Sequence, residues 1–150
     1  MDNQAKQLRI ELFEKLCRER RLPVTPQRRI ILDRVLDLDN HPTADTVCDF
    51  ISRQHPTISR TTVYRTLETL VRLGVITKAC HPGSVVRYDG RIEVHHHLIC
   101  MRCEEVIDIS DEFLDAVRLP DTSKLGFEVT DHRVQLRGHC RRCRDLEEDS

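Results

Sequence analysis

Two Cys-x-x-Cys pairs, Cys100 with Cys103 and Cys140 with Cys143, constrain the fold of this chain more than any other feature. Two such knuckles can present four thiolates tetrahedrally, the arrangement Zn²⁺ takes at Zn–S distances of about 2.3 Å. With 36 residues between them, the pairs are too far apart for a simple zinc ribbon. A shared structural ion would therefore tie the start of a C-terminal unit to its end. A redox dithiol is the competing reading, but neither pair is expected at the strand-to-helix start that such a motif uses. Cys17, Cys48 and Cys80 have no partner at this spacing and read as ordinary thiols. The N-terminus, MDNQAKQLRIELFEK, lacks a basic region followed by an apolar one, and no apolar run approaches the roughly 18 residues of a membrane span. The expected compartment is a reducing cytoplasm, with no membrane partner, where cysteines hold metal more often than they form disulfides.

Up to about residue 73 the apolar period is helical. Leu8, Leu12, Phe13 and Leu16 share one face of a first helix. Thr25 and Pro26 open a second as N-cap and first helical residue, with Ile30, Ile31 and Val35 inward. Thr43 caps a third carrying Val47, Phe50 and Ile51, and Ser59 caps a fourth with Val63, Leu67, Leu70 and Val71 inward and Gly74 as stop signal. Two β-prone runs follow, VITKAC and VVRYD, around a turn at His81–Ser84. Helices, the last polar and rich in Ser, Thr and Arg, followed at once by a hairpin, give the order of a winged helix-turn-helix over residues 1–88. Its recognition helix would run from Ser59 to Leu73, offering Ser59, Arg60, Thr61, Thr62, Tyr64 and Arg65 to phosphates and base edges, with Arg28 of the second helix beside them.

The charge balance fits that division. Residues 1–90 carry 15 Lys/Arg against 11 Asp/Glu, a net +4, whereas residues 91–150 carry 9 against 14, a net −5. Residues 89–94, DGRIEV, form a connector or hinge, and residues 95–150 read as a second, α+β unit. HHHLIC, VIDIS and FEVTDHRVQLRGHC alternate like strands, with a helix over Asp111–Val117. A unit this small needs a staple such as the zinc. Aromatic content of 4% argues against a base-stacking platform for single strands.

His95-His96-His97 precedes the first knuckle. Alternation on a strand sends His95 and His97 to one face and His96, Leu98 and Cys100 to the other, which predicts two metal sites rather than one. Partners for His95 and His97 are available in His41, Asp89 and Asp108. Imidazoles with carboxylates suit Fe²⁺, Mn²⁺ or Zn²⁺ and are too hard for Cu(I). On spacing alone, these side chains could equally be polar surface residues.

The chain resembles the ferric uptake regulator (Fur) superfamily over nearly its whole length. The resemblance is carried by T-P-Q-R at 25–28, H-P-T-A-D at 41–45, S-R-T-T-V-Y-R-T-L at 59–67, G-V-I at 74–76, R-Y-D at 87–89, H-H-H-L-I-C-M-R-C at 95–103 and C-R-R-C at 140–143. It implies a bacterial, metal-dependent repressor of palindromic operators in double-stranded DNA. The fold implied is a homodimer, tetrameric in some relatives, with an N-terminal winged helix and a C-terminal dimerisation domain stapled by a zinc at Cys100, Cys103, Cys140 and Cys143. The family's regulatory site falls on His41, Asp89, His95, His97 and Asp108, to be filled by Fe²⁺ or Mn²⁺, or by Zn²⁺. Aspartate at 108 and the Asp89-to-His95 spacing resemble the peroxide-sensing members, in which H₂O₂ reacting at bound iron oxidises a ligand histidine, here His41 or His95. Iron- or zinc-responsive control of metal uptake is the alternative within the family. A further metal site of some relatives would fall on His96, Asp115 and His132, although Val94 stands where those relatives have another histidine.

Readings outside the regulator class fit less well. A hydrolytic zinc enzyme could draw ligands from His95, His97 and an aspartate, but the deaminase pattern fails, since no Pro precedes Cys100 and no His-x-Glu occurs. A metal-storage module would leave the winged-helix half unexplained. The chain is accordingly expected not to be an enzyme.

Overall fold

The computed structural model describes residues 3–38, 41–79 and 85–148. The chain divides into two compact units, Met1–Ile92 and Glu93–Ser150. In the first, α1 (Asn3–Glu19), α2 (Pro26–Asp37), α3 (Ala44–Gln54) and α4 (Arg60–Leu73) precede an antiparallel pair, β1 (Thr77–Ala79) and β2 (Arg87–Asp89). Each cap is made by the expected residue: Thr25, Thr43 and Ser59 accept the amides of Arg28, Thr46 and Thr62. Gly74 ends α4 in the left-handed region at φ +73°, and its N–H bonds back to the last turn.

One apolar core fills this unit, with Phe13, Cys17, Ile31, Leu32, Val47, Ile51, Val63, Leu67 and Leu70 among its fully enclosed side chains. Sequence and structure differ in α1, where Phe13 and Cys17 are buried and Ile10 and Leu16 pack alongside, while Leu8 is exposed. The inward stripe thus runs one step round the helix from the expected one, because Arg9 rather than Leu8 lies a turn before Phe13 and is itself buried. Phe50 is only half-buried; its ring carries the Arg34 guanidinium 4.0 Å from the centroid. Val75 and Ile76 are buried but precede the strand. Asp89 closes β2 opposite Thr77. The expected turn at His81–Ser84, and Cys80, lie outside the described residues.

The second unit is a three-stranded sheet, β3 (His96–Cys100), β4 (Val106–Ile109) and β5 (Gln135–Gly138), in the order β4-β3-β5. β4 is antiparallel to β3 and β5 parallel to it. Asp111 caps a single helical turn, α5 (Glu112–Asp115), which is shorter than the helix expected to reach Val117. The long strand expected over FEVTDHRVQLRGHC contracts to four residues. The parallel ladder begins at the His97–Gln135 pair; just before it the Val134 carbonyl accepts the His97 N–H at 3.0 Å, while the Val134 N–H goes to the His96 ring rather than to a strand carbonyl. A terminal helix, α6 (Arg141–Glu148), was not apparent in the sequence.

Candidate metal centres and nucleic-acid face

The four-cysteine site follows from strand order. Parallel pairing places Cys100 opposite Gly138, so the knuckle after β3 and the knuckle after β5 emerge side by side. The first turns tightly through Glu104, whose φ is +57° and whose N–H bonds to the Cys100 carbonyl at 3.0 Å. The four Sγ atoms lie within 4.8 Å of one another, with Cys103 and Cys140 at 3.7 Å. A tetrahedral ZnS₄ centre requires S···S separations of about 3.8 Å, so the donor set suits a structural zinc ion. Backbone N–H groups of Cys103 and Cys140 point at Cys100 Sγ, the latter at 3.4 Å, and lower its thiol to about 5. Burial, reinforced by hydrogen bonds to the neighbouring thiols, pushes Cys143 up to about 12. Cys100 is thus disposed to the thiolate form, whereas Cys143 is disposed to keep a proton until a cation displaces it. Against expectation, Cys140-x-x-Cys143 does open a helix, α6, so position relative to secondary structure does not exclude redox chemistry. What favours zinc is the convergence of all four thiols. Cys17 and Cys48 are buried, free thiols raised chiefly by burial, as expected of ordinary cysteines.

In the first unit His41 and Asp89 meet through backbone pairing. Thr43 bridges Arg87, the Tyr88 N–H donates to the Pro42 carbonyl at 2.9 Å, and Arg87 Nη1 donates to the His41 carbonyl at 3.3 Å. The turn before α3 is thereby laid against β2, with His41 Nε2 3.9 Å from Asp89 Oδ2. The other Asp89 oxygen accepts the Arg91 N–H at 2.7 Å.

In the second unit the expected alternation holds. His95 and His97 face one way, their Nε2 atoms 3.1 Å apart. Asp108 lies directly across from His97 in the β3–β4 ladder, and its Oδ1 is 3.6 Å from both Nε2 atoms. Accepting from His95 Nδ1 at 2.7 Å, the Glu93 carbonyl leaves the His95 Nε2 lone pair directed at this group. Two imidazole nitrogens and a carboxylate gathered in this way could hold a cation.

His96 faces the opposite way. Its Nδ1 accepts the Val134 N–H at 3.0 Å, so Nε2 carries the proton and donates to Asp115 Oδ1 at 3.0 Å. His132 packs its ring 5.8 Å from that of His96 but donates to the Leu114 carbonyl at 2.9 Å. Of the candidate ligands of the further site, His96 spends both ring nitrogens on hydrogen bonds, one of them to Asp115, and His132 spends Nε2 on the Leu114 carbonyl.

On α4, Thr62, Tyr64 and Arg65 line a concavity with Arg28, Gln27 and Arg72, the last two not anticipated from sequence. Thr61 is exposed. The Ser59 hydroxyl is engaged in the cap and with Thr62 Oγ1 at 2.9 Å. Arg60 pairs with Asp45 and Asp49, and the Tyr64 hydroxyl donates to Asp45 Oδ1 at 2.7 Å. Asp45 stands in the H-P-T-A-D motif, whose His was singled out, but nothing in the motif signals this second role.

The first unit is thus helical with a two-stranded wing, and the second is a small sheet unit in which four thiols converge. The chain belongs to the ferric uptake regulator family, whose model matches residues 19–137. It is 31% identical over 137 residues to the peroxide-responsive repressor PerR of Staphylococcus aureus, covering 90% of this chain and 93% of that protein. The ferric uptake regulator Fur of Helicobacter pylori shares the fold at a TM-score of 0.77 and 20% identity, covering 93% of each chain. The Campylobacter jejuni peroxide stress regulator aligns at 0.63 and 27% identity, over 79% of this chain and 89% of that one. Members of the family are transcription regulators rather than enzymes. Among the described residues, no helix is long and apolar enough to cross a membrane.

Proposed function

We propose that the chain is a homodimeric DNA-binding repressor that recognises a palindromic operator and is released from it by peroxide. The observation that carries the reading is Asp108, set opposite His97 and equidistant from two imidazole Nε2 atoms. Likeness to a peroxide-responsive repressor over most of both chains supports it.

In this reading His41 and Asp89 supply donors from the first unit, His95, His97 and Asp108 supply them from the second, and all five serve one regulatory ion. Such a set suits Fe²⁺ or Mn²⁺, and bound Fe²⁺ would supply the electrons that reduce H₂O₂ and so expose His41 or His95 to oxidation. The chain's own part is to hold those imidazoles against the reacting centre and to lose a ligand when one is oxidised. A site drawing on both units favours the arrangement that sets two recognition helices at the spacing of two half-sites, and only by its differential affinity for that arrangement. Residues 89–94 serve as the hinge. Arg28, Thr61, Thr62, Tyr64 and Arg65 contact DNA, with Arg60 and Ser59 at the start of α4.

Exposed Phe113, Leu125 and Phe127 on the second unit offer an apolar surface suited to a second copy of the chain, and two-fold symmetry makes the operator palindromic. The test is operator binding by Fe²⁺- and Mn²⁺-loaded protein under anaerobic conditions, before and after H₂O₂. Release of the iron form alone supports peroxide sensing. Release of neither, with loss only on chelation, identifies a metal-homeostasis repressor.

A further inference from the structure

The turn that bears His41 also grips the recognition helix. His41 adopts φ +46°, a conformation a non-glycine residue keeps only where its surroundings enforce it. Here Arg87 and Tyr88 of β2 do so, through the His41 and Pro42 carbonyls. Two residues on, Thr43 caps α3; two further, Asp45 occupies the first turn of that helix. Asp45 Oδ1 accepts from the Tyr64 hydroxyl and from Arg60 Nη2, both on α4, and Asp49 one turn along takes Arg60 Nη1 at 3.3 Å. Asp45 and Asp49 are like charges at i,i+4, a pairing that would loosen α3 if Arg60 did not offset it. Five consecutive residues of the first unit therefore run from a candidate ligand to the side chains of the DNA-reading face.

Resting on the reading of His41 as a regulatory ligand and of α4 as the recognition helix, we propose that Asp45 is a positioning residue that couples the ligand turn to the conformation of Tyr64 and Arg60. A displacement of His41 is passed through the first turn of α3 and resets how each recognition helix meets DNA. Rotation about residues 89–94 differs in kind: it changes the distance between two recognition helices and leaves each one as it was. Asp45 predicts an effect of metal on a single half-site, where spacing has no meaning.

Operator DNA would be selected from a random duplex pool by the Mn²⁺-loaded wild type. Anisotropy then compares Mn²⁺-loaded and metal-free protein on the full palindrome and on a duplex bearing one half-site. In the wild type, Mn²⁺ should tighten half-site binding by about fivefold or more, within the ordinary range of allosteric coupling. Asp45→Ala should remove that gain, and Asp45→Asn, which keeps an acceptor for Tyr64 but not the charge for Arg60, should retain part of it. A second reading needs neither metal nor DNA: the ¹³Cζ signal of Tyr64, assigned through Tyr64→Phe, should titrate above the ordinary tyrosine range in the wild type, because its proton is donated to the Asp45 carboxylate. It should titrate lower in Asp45→Ala. Metal that acts on the palindrome but not on the half-site, a half-site gain that survives Asp45→Ala, or a Tyr64 titration indifferent to Asp45 would each overturn the proposal. No metal effect on either duplex would defeat the repressor reading, and the Asp45 proposal with it.

Discussion

At the scale of single residues, side-chain direction decides which donors can meet. Alternation along HHHLIC separates His95 and His97 from His96, and the structure keeps that separation: the first two converge with Asp108, the third bonds to Asp115 and Val134. This was legible because a strand's period is two whatever surrounds it. The Tyr64 and Arg60 contacts with Asp45 were not legible, since they depend on how α3 and α4 cross. Asp108 is short and sits across the ladder from His97. Asp108→Glu adds a methylene and moves the carboxylate by roughly 1.5 Å, enough to alter reaction geometry without removing a donor. Metal-dependent operator binding should stay within about threefold of wild type, while peroxide-triggered release slows at least about tenfold. Stopped-flow anisotropy measures both; an unchanged release rate would refute the assignment of Asp108.

At the scale of elements, α2, α3 and α4 were legible because an N-cap residue precedes an apolar stripe in each, whereas α1 offered a stripe alone and its inward face lies one step round from the expected one. α4 shows it best: Ser59 caps, Val63, Leu67 and Leu70 are buried, and Gly74 takes φ +73°. A Cβ built on Gly74 meets nothing within 4 Å, so Gly74→Ala should cost only the backbone strain of a left-handed alanine, about 1 kcal/mol. Urea unfolding of the metal-free protein would show it. A loss well above about 2 kcal/mol would mean that the cap supports more than α4. The elements sequence missed have a common cause: their stability is not local. β5 exists through parallel pairing with a strand some forty residues earlier. The run read as one long strand ends where that partner ends. Among its described side chains α6 has no buried apolar stripe to declare it: Cys143 is buried and Leu146 exposed.

At the scale of the whole molecule, the proposed function gives two donor sets different work. The four thiols close the second unit on itself, since their knuckles follow β3 and β5. In the proposed function the histidines and carboxylates are drawn from both units. Loss of the first set should undo the fold of the second unit, and with it the dimer; loss of the second should leave fold and dimer intact and remove only the response. Cys140→Ser should therefore abolish stoichiometric zinc and yield monomer in sedimentation, while His97→Ala should remain a zinc-containing dimer with weakened metal-dependent binding. A zinc-free Cys140→Ser dimer that still binds operator would contradict the structural role. The opposite charges of the two halves, net +4 and net −5, accord with the proposed DNA contact on the first unit, and that contact predicts a steep loss of operator affinity with salt.

In the proposed function peroxide is read at an iron site built from His41, Asp89, His95, His97 and Asp108. Its most direct test is anaerobic fluorescence anisotropy of operator bound to the Fe²⁺-loaded and Mn²⁺-loaded protein through a stoichiometric pulse of H₂O₂, followed by mass spectrometry of the product. The account predicts release of the iron form alone, with one added oxygen on His41 or His95. An iron form that stays bound, or that leaves the operator without oxidation of either histidine, would contradict it.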